Sequence, residues 1–209
     1  MGYRSLAPYV WPIYAPWMAS SLGMSTLLVA LPIWLLGGGH GYVLTSMVAG
    51  AGGAGAAVGA LLVGNLVDRS GPARVAAGSL LLMVVASASM ALIGHVVVLG
   101  LGHLAFGMGS IGVMLSRQAD LTSRIPRYLR GRAMSVMGGS MRLSVLVGTV
   151  AGGALVEVIG GRWTIAAAGL AAAVGLPAVI ATALRPEREV APIGTDLPGL
   201  ATVVRLHHR

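Results

Sequence analysis

Six apolar runs, each about twenty residues long, set the limits on what this chain can become. They cover roughly Trp11–Leu36, Tyr42–Val67, Ala73–Ile93, Val96–Leu115, Ala133–Val158 and Trp163–Leu184. A helix of that length crosses a hydrocarbon core about 30 Å thick. The runs are unbroken and do not alternate, which argues against transmembrane strands. Only 10% of the residues are charged and 56% are hydrophobic, whereas a soluble domain carries about 25% charged residues. With so few charges the surface must face lipid. The expectation is an all-α integral membrane protein: a six-helix transmembrane bundle over residues 1–184, then a cytoplasmic linker and tail over 185–209.

The connections orient the bundle. Gly37-Gly38-Gly39-His40-Gly41 and the stretch around Gly94-His95 carry no formal charge, and Glu157 offsets Arg162 in the fifth connection. The second connection holds Asp68, Arg69 and Arg74, and the fourth holds Arg117, Arg124, Arg127, Arg130 and Arg132. Arg4 precedes the first helix, and Arg185, Arg188, Arg205 and Arg209 follow the sixth. Twelve of the 14 arginines fall on one side, Arg162 on the other and Arg142 within a helix. Cytoplasmic loops concentrate positive charge. Both termini are therefore expected in the cytoplasm, with the protein in the plasma (inner) membrane. The net charge of +8 comes from arginine with no lysine. These arginines lie between apolar runs and are not interleaved with aromatics, so they suit the lipid headgroups rather than nucleic acid. Without cysteine there is neither a disulfide nor a thiolate metal site, and no cofactor is implied. The first apolar run is too long for a cleavable signal peptide, and no A-x-A-like site follows it.

Glycine is abundant within the runs. Gly55 and Gly59 form a small-xxx-small pair, as do Gly148 and Gly152, with Gly153 adjacent. Lipid gives no hydrophobic drive between helices, so close backbone approach matters. Static packing and sliding of smooth helix faces are both consistent with these pairs.

The second connection reads Gly64-Asn65-Leu66-Val67-Asp68-Arg69-Ser70-Gly71-Pro72-Ala73-Arg74. Gly64 is expected to let the second helix pack closely as it leaves the membrane. Asp68 is placed to face the positive end of a helix dipole. Gly71 permits a tight reversal, and Pro72 suits a first helical turn. The stretch resembles the G-x-L-x-D-R-x-G signature of the major facilitator superfamily, at the connection where that family carries it. Leu31-Pro32 near the outer end of the first helix agrees, and so does Pro126-Arg127-Tyr128-Leu129-Arg130-Gly131-Arg132-Ala133, which resembles the P-x-x-x-R-G-R-A entry to the fifth helix. Gly148-Thr149-Val150-Ala151-Gly152-Gly153 resembles the fifth-helix G-P-x-x-G-G motif, with Thr149 in place of proline. Pro72 stands where the signature usually has a basic residue. The resemblance covers the N-terminal six-helix half of that fold. It implies a conformational-switch loop at Gly64, Asp68, Arg69, Gly71 and Arg74, and a fourth-connection motif at Arg130, Gly131 and Arg132.

Two groups within the membrane stand out. Arg142 follows Ala133 by nine residues, or roughly 14 Å at helical rise, near the midplane. A charge there is expensive; it lines a cavity or pairs. Asp68 and Asp120 are expected at the cytoplasmic face and Glu157 at the outer end of its own helix, so no acid of this chain is placed to meet it. His103, in the outer part of the fourth helix, titrates near neutral pH in ordinary surroundings. Arg142 and His103 are the candidate substrate or coupling residues, against the plainer readings of structural pairing and a hydrogen-bonded interface histidine. Gly107-Met108-Gly109-Ser110-Ile111-Gly112 matches G-x-G-x-x-G, but it sits inside an apolar run with no preceding strand, which argues against a dinucleotide site. An intramembrane serine protease would need G-x-S-G and a histidine in the sixth helix, and the chain has neither. It is not expected to be an enzyme.

The resemblance implies a secondary transporter of a small solute that works by alternating access, with lipid as its surroundings. Arg142 favours an anionic or polar solute. Drug efflux is the alternative class, less supported because the first helix has no acid. One bundle alone lacks its counterpart, so a second six-helix half or a homodimer is expected. The ending Arg205-Leu206-His207-His208-Arg209 resembles the flank before a seventh helix and suggests truncation. A non-transporting remnant or accessory protein is the competing reading.

Overall fold

The computed structural model describes residues 13–125 and 127–183. In order these form helices α1 (Ala15–Gly37), α2 (Tyr42–Ser70), α3 (Pro72–Ile93) and α4 (Val96–Arg124), a 3₁₀ turn (Arg127–Leu129), then α5 (Arg130–Ile159), α6 (Gly161–Val174) and α7 (Leu176–Ala183). In hydrocarbon each segment must satisfy its own backbone groups, and the α-helix does so. Six spans are long and apolar enough to cross a membrane, the sixth being Gly161–Ala181. The protein is a multi-pass, all-α membrane bundle.

Three boundaries differ from the sequence expectation. Helix α4 does not stop near Leu115 but continues to Arg124. Arg117 and Asp120, three residues apart, and Asp120 and Arg124, four apart, form ion pairs that carry the helix beyond its apolar run. Helix α5 begins at Arg130 rather than Ala133. The sixth span is not one regular helix but breaks between α6 and α7. Pro177 has no N–H for the carbonyl four residues back, and the Gly175 N–H bonds the Ala172 carbonyl at 3.1 Å in a tighter turn. Residues 185–209, expected as a tail, lie outside the described residues.

Gly71 alone separates α2 from α3, at φ +81° and ψ 152°. A side chain there would be strained. Gly71→Ala is expected to cost about 1–3 kcal/mol, read as a lower melting temperature in detergent. Ser70→Ala, one residue earlier, should be near neutral. At the opposite end of the bundle Arg162 donates to the Ala91 and Leu92 carbonyls. It thereby caps the last turn of α3, which has no intrahelical donors left, instead of pairing with Glu157.

The helices pack in the order α2, α4, α3, α6, α1, α5, and α1 also touches α4. The two halves of this order correspond: α2 lies on α4 as α5 lies on α1, and α3 meets α6. The packing thus repeats between the first three helices and the next three. Glycines sit on the matching seams. A Cβ on Gly55 would strike the Leu104 carbonyl, and one on Gly59 would meet Ile111 and Met108. Gly148 and Gly152 press on Ser25 and Thr26 of α1 in the same way. There Ser25 Oγ donates to the Ser144 carbonyl and Thr26 Oγ1 to that of Gly148, each at 3.3 Å. Gly153 only approaches Val29 at van der Waals distance. Gly64 corrects its expectation: nothing lies within 4 Å of a Cβ there, because α2 beyond Val63 has run clear of its neighbours.

The main core lies where α1, α3, α4 and α6 meet, around Leu27, Leu80, Met83, Phe106 and Ile165. A second core, around Trp17, Leu121, Ile125 and Met137, joins the start of α1 to the end of α4 and the start of α5. Helix α5 is the least covered span. In its most apolar stretch 17% of residues are buried, against 56% in α1; α2 follows at 28%. The two sparsely covered helices are the two ends of the packing order.

Candidate functional site

Helices α1 and α4 present matching stripes. Trp17, Ser21 and Met24 lie along one face of α1, and Gly107, Ser110 and Met114 along one face of α4, with the spacing that aligns side chains on a helix. Between them, bordered by Ala56 of α2 and Met141 of α5, is a half-open cavity of about 180 Å³. Its wall is mostly hydrocarbon, thioether and indole. The Trp17 Nε1–H is used, donating to the Met137 carbonyl at 3.2 Å. Ser20 donates to the Trp17 carbonyl at 3.0 Å. Ser21 and Ser110, also among the lining residues, make no side-chain hydrogen bond among the described residues. Among the described residues, none that is charged lines the cavity.

Neither sequence-predicted coupling residue lines this cavity. Arg142 follows Met141, which does, but Arg142 itself is exposed on α5 and forms no hydrogen bond or ion pair among the described residues. His103 is fully buried at the seam with α2. Its Nδ1 is 2.9 Å from the Val48 carbonyl, its ring lies against Gly52, and Nε2 has no partner. The hydrogen-bonded interface histidine is thus the geometry observed.

At the arginine-rich end the ionic contacts fall on residues not singled out as candidates. Asp68, Arg69 and Arg74 are exposed, and Asp68 forms no hydrogen bond or ion pair among the described residues. Asp120, 1% exposed, instead accepts from two guanidinium groups. Arg117 Nη1, itself fully buried, is 3.0 Å from Oδ2, and Arg124 Nε donates to Oδ1. Arg117 Nη2 also donates to the Pro72 carbonyl at 3.1 Å, tying α4 to the first turn of α3. The R-x-x-D-x-x-x-R spacing, one face of a helix, was the available signal. In the fourth connection Arg130 Nε donates to the Ile125 carbonyl at 3.2 Å and closes the reversal. Gly131 has nothing within 4 Å of a Cβ, and Arg132 is exposed.

The family model of the Major Facilitator Superfamily matches residues 9–203. An uncharacterized MFS-type transporter of Mycobacterium tuberculosis is 28% identical over 162 residues, covering 77% of this chain and 28% of the relative. The chain therefore spans well under half the length of the curated relative it matches. A bundle of six apolar helices in two corresponding triplets agrees with a match that runs nearly end to end. The chain belongs to the major facilitator superfamily, a family of membrane transporters rather than enzymes.

Proposed function

We propose that this chain is one six-helix half of an alternating-access transporter for a small solute, with the α1/α4 cavity as its share of the solute site. The observation that carries this reading is the cavity's position, flanked by α2 and α5, the least covered helices. At about 180 Å³ it is smaller than the roughly 300–1,000 Å³ of a complete ligand pocket. A site shared with a second bundle has that property. The partner is a second six-helix half or another copy of this chain, seated against α2 and α5. Arg142 supports such a partner, since an exposed guanidinium in a membrane span needs polar company. The arginine-rich connections face the cytoplasm across the plasma membrane.

Crosslinking in native membranes, combined with uptake into vesicles, tests this reading. Crosslinked pairs and solute uptake are expected; a strictly monomeric chain without uptake contradicts it. Arg142→Ala should insert normally and lower transport about tenfold or more, the loss of one buried charge contact. Unchanged uptake removes Arg142 from the partner surface. Because the chain has no cysteine, orientation is readable by single substitutions. Gly39→Cys should react with an impermeant maleimide in intact cells, and Ser70→Cys only after lysis.

A further inference from the structure

We infer that the solute part held by this chain is uncharged, apolar and aromatic, gripped by Met24, Met114 and Met141 beside the fixed Trp17 indole, with Ser21 and Ser110 as its few polar neighbours. This rests on the reading of the α1/α4 cavity as a solute site. An anion needs a donor charge in the wall, because burying an unpaired charge is costly. Arg142 is the natural candidate, yet Met141 turns into the cavity and Arg142 does not line it. A cation needs an acid or its equivalent. Among the described acids, Asp68 lies exposed at the end of α2, Asp120 is held by Arg117 and Arg124, and Glu157 is exposed in the last turns of α5. None reaches the wall.

What the wall does offer is specific. Three methionines from three different helices, α1, α4 and α5, share the wall with one indole. Methionine is unbranched and polarizable, and its sulfur contacts aromatic rings favourably while adapting to different shapes. The Trp17 indole, anchored through Nε1 and 3% exposed, is a fixed part of the wall. The two serines, one each from α1 and α4, are the polar groups there with unused hydrogen-bonding capacity. Each hydroxyl both donates and accepts, which suits a phenol or an amide better than an ion. The anionic preference drawn from Arg142 thus gives way to an uncharged aromatic one.

The test is saturable binding to the full chain in lipid nanodiscs, with empty nanodiscs subtracted. The probes share one ring system: 2-naphthol, 2-naphthoate and 2-naphthylmethylammonium at neutral pH. Naphthol is expected to saturate at least tenfold more tightly than either ion, and Ser110→Phe, which fills the cavity, to weaken it at least tenfold. If that variant fails to insert, Met141→Phe fills the cavity from the α5 side. Either ion binding within tenfold of naphthol overturns the inference. So does the absence of saturable naphthol binding, or naphthol binding that a filled cavity leaves intact. Crosslinking between halves uses none of these probes, so the half-transporter reading is judged separately.

Discussion

Asp120→Ala is expected to be the most damaging single substitution at the arginine-rich end, costing about 3–5 kcal/mol, the range for removing one partner of a buried pair. Arg117 is fully buried and Asp120 nearly so. Removing the carboxylate leaves the Arg117 guanidinium against helix packing, with the Pro72 carbonyl as a neutral acceptor. It also leaves the last turns of α4, which lie beyond the apolar run, without their anion. The cost should appear as a lower midpoint in denaturation from detergent and as reduced membrane yield. Arg117→Leu combined with Asp120→Leu should recover most of the loss, because buried pairs replaced together by apolar groups are often close to neutral. Arg124→Ala should cost under about 1 kcal/mol, since its side chain is 41% exposed. A double variant as unstable as Asp120→Ala would show that the pair is not the source of the effect.

Gly55→Val is expected to force α2 from α4 at a cost of about 3 kcal/mol, the upper end for overpacking. The added Cβ would overlap the Leu104 carbonyl and its Cα. These are backbone atoms, so no rotamer change relieves the clash and the helix axes must separate. That movement would also release the Val48 carbonyl from His103 and Gly107 from the Gly52 carbonyl, both on the same seam. Gly53→Ala provides the contrast. It lies on the same helix with nothing within 4 Å of its Cβ, so it should be neutral or slightly stabilising by helix propensity. Thermal unfolding of the two variants in the same detergent decides the matter, and equal melting temperatures would mean that the seam is not tight.

The six spans were legible because lipid imposes one strict demand, about twenty apolar residues per crossing. Gly55, Gly59, Gly148 and Gly152 were legible because small residues at i, i+4 have one main use between membrane helices. The end of α4 was misjudged where charges continue a helix by pairing along it: Arg117 and Arg124 look like loop arginines until Asp120 is placed between them. The break at Gly175 was missed because the apolar pattern runs through it without a polar residue. The site was the least legible part. Trp17, Met24 and Met114 are ordinary apolar residues in apolar runs, and only the meeting of α1 with α4 turns their faces to one space. Arg142 and His103 drew attention by their chemistry, yet one lies outside that space and the other faces α2. The correspondence of α2 on α4 with α5 on α1 is a property of the packing that a single pass along the chain does not reveal.

If the α1/α4 surface is a solute cavity, it is reached by water, whereas the outer surface of α3 faces lipid. Single cysteines in the naturally cysteine-free chain distinguish the two directly. Ser110 lines the cavity, while Leu81 on α3 is 55% exposed and faces away from it. Treated in native membranes with a small, charged methanethiosulfonate, Ser110→Cys should react at least tenfold faster than Leu81→Cys, because the thiolate that reacts forms only where water reaches. Equal rates, or faster reaction at Leu81→Cys, would contradict a solute pathway between α1 and α4.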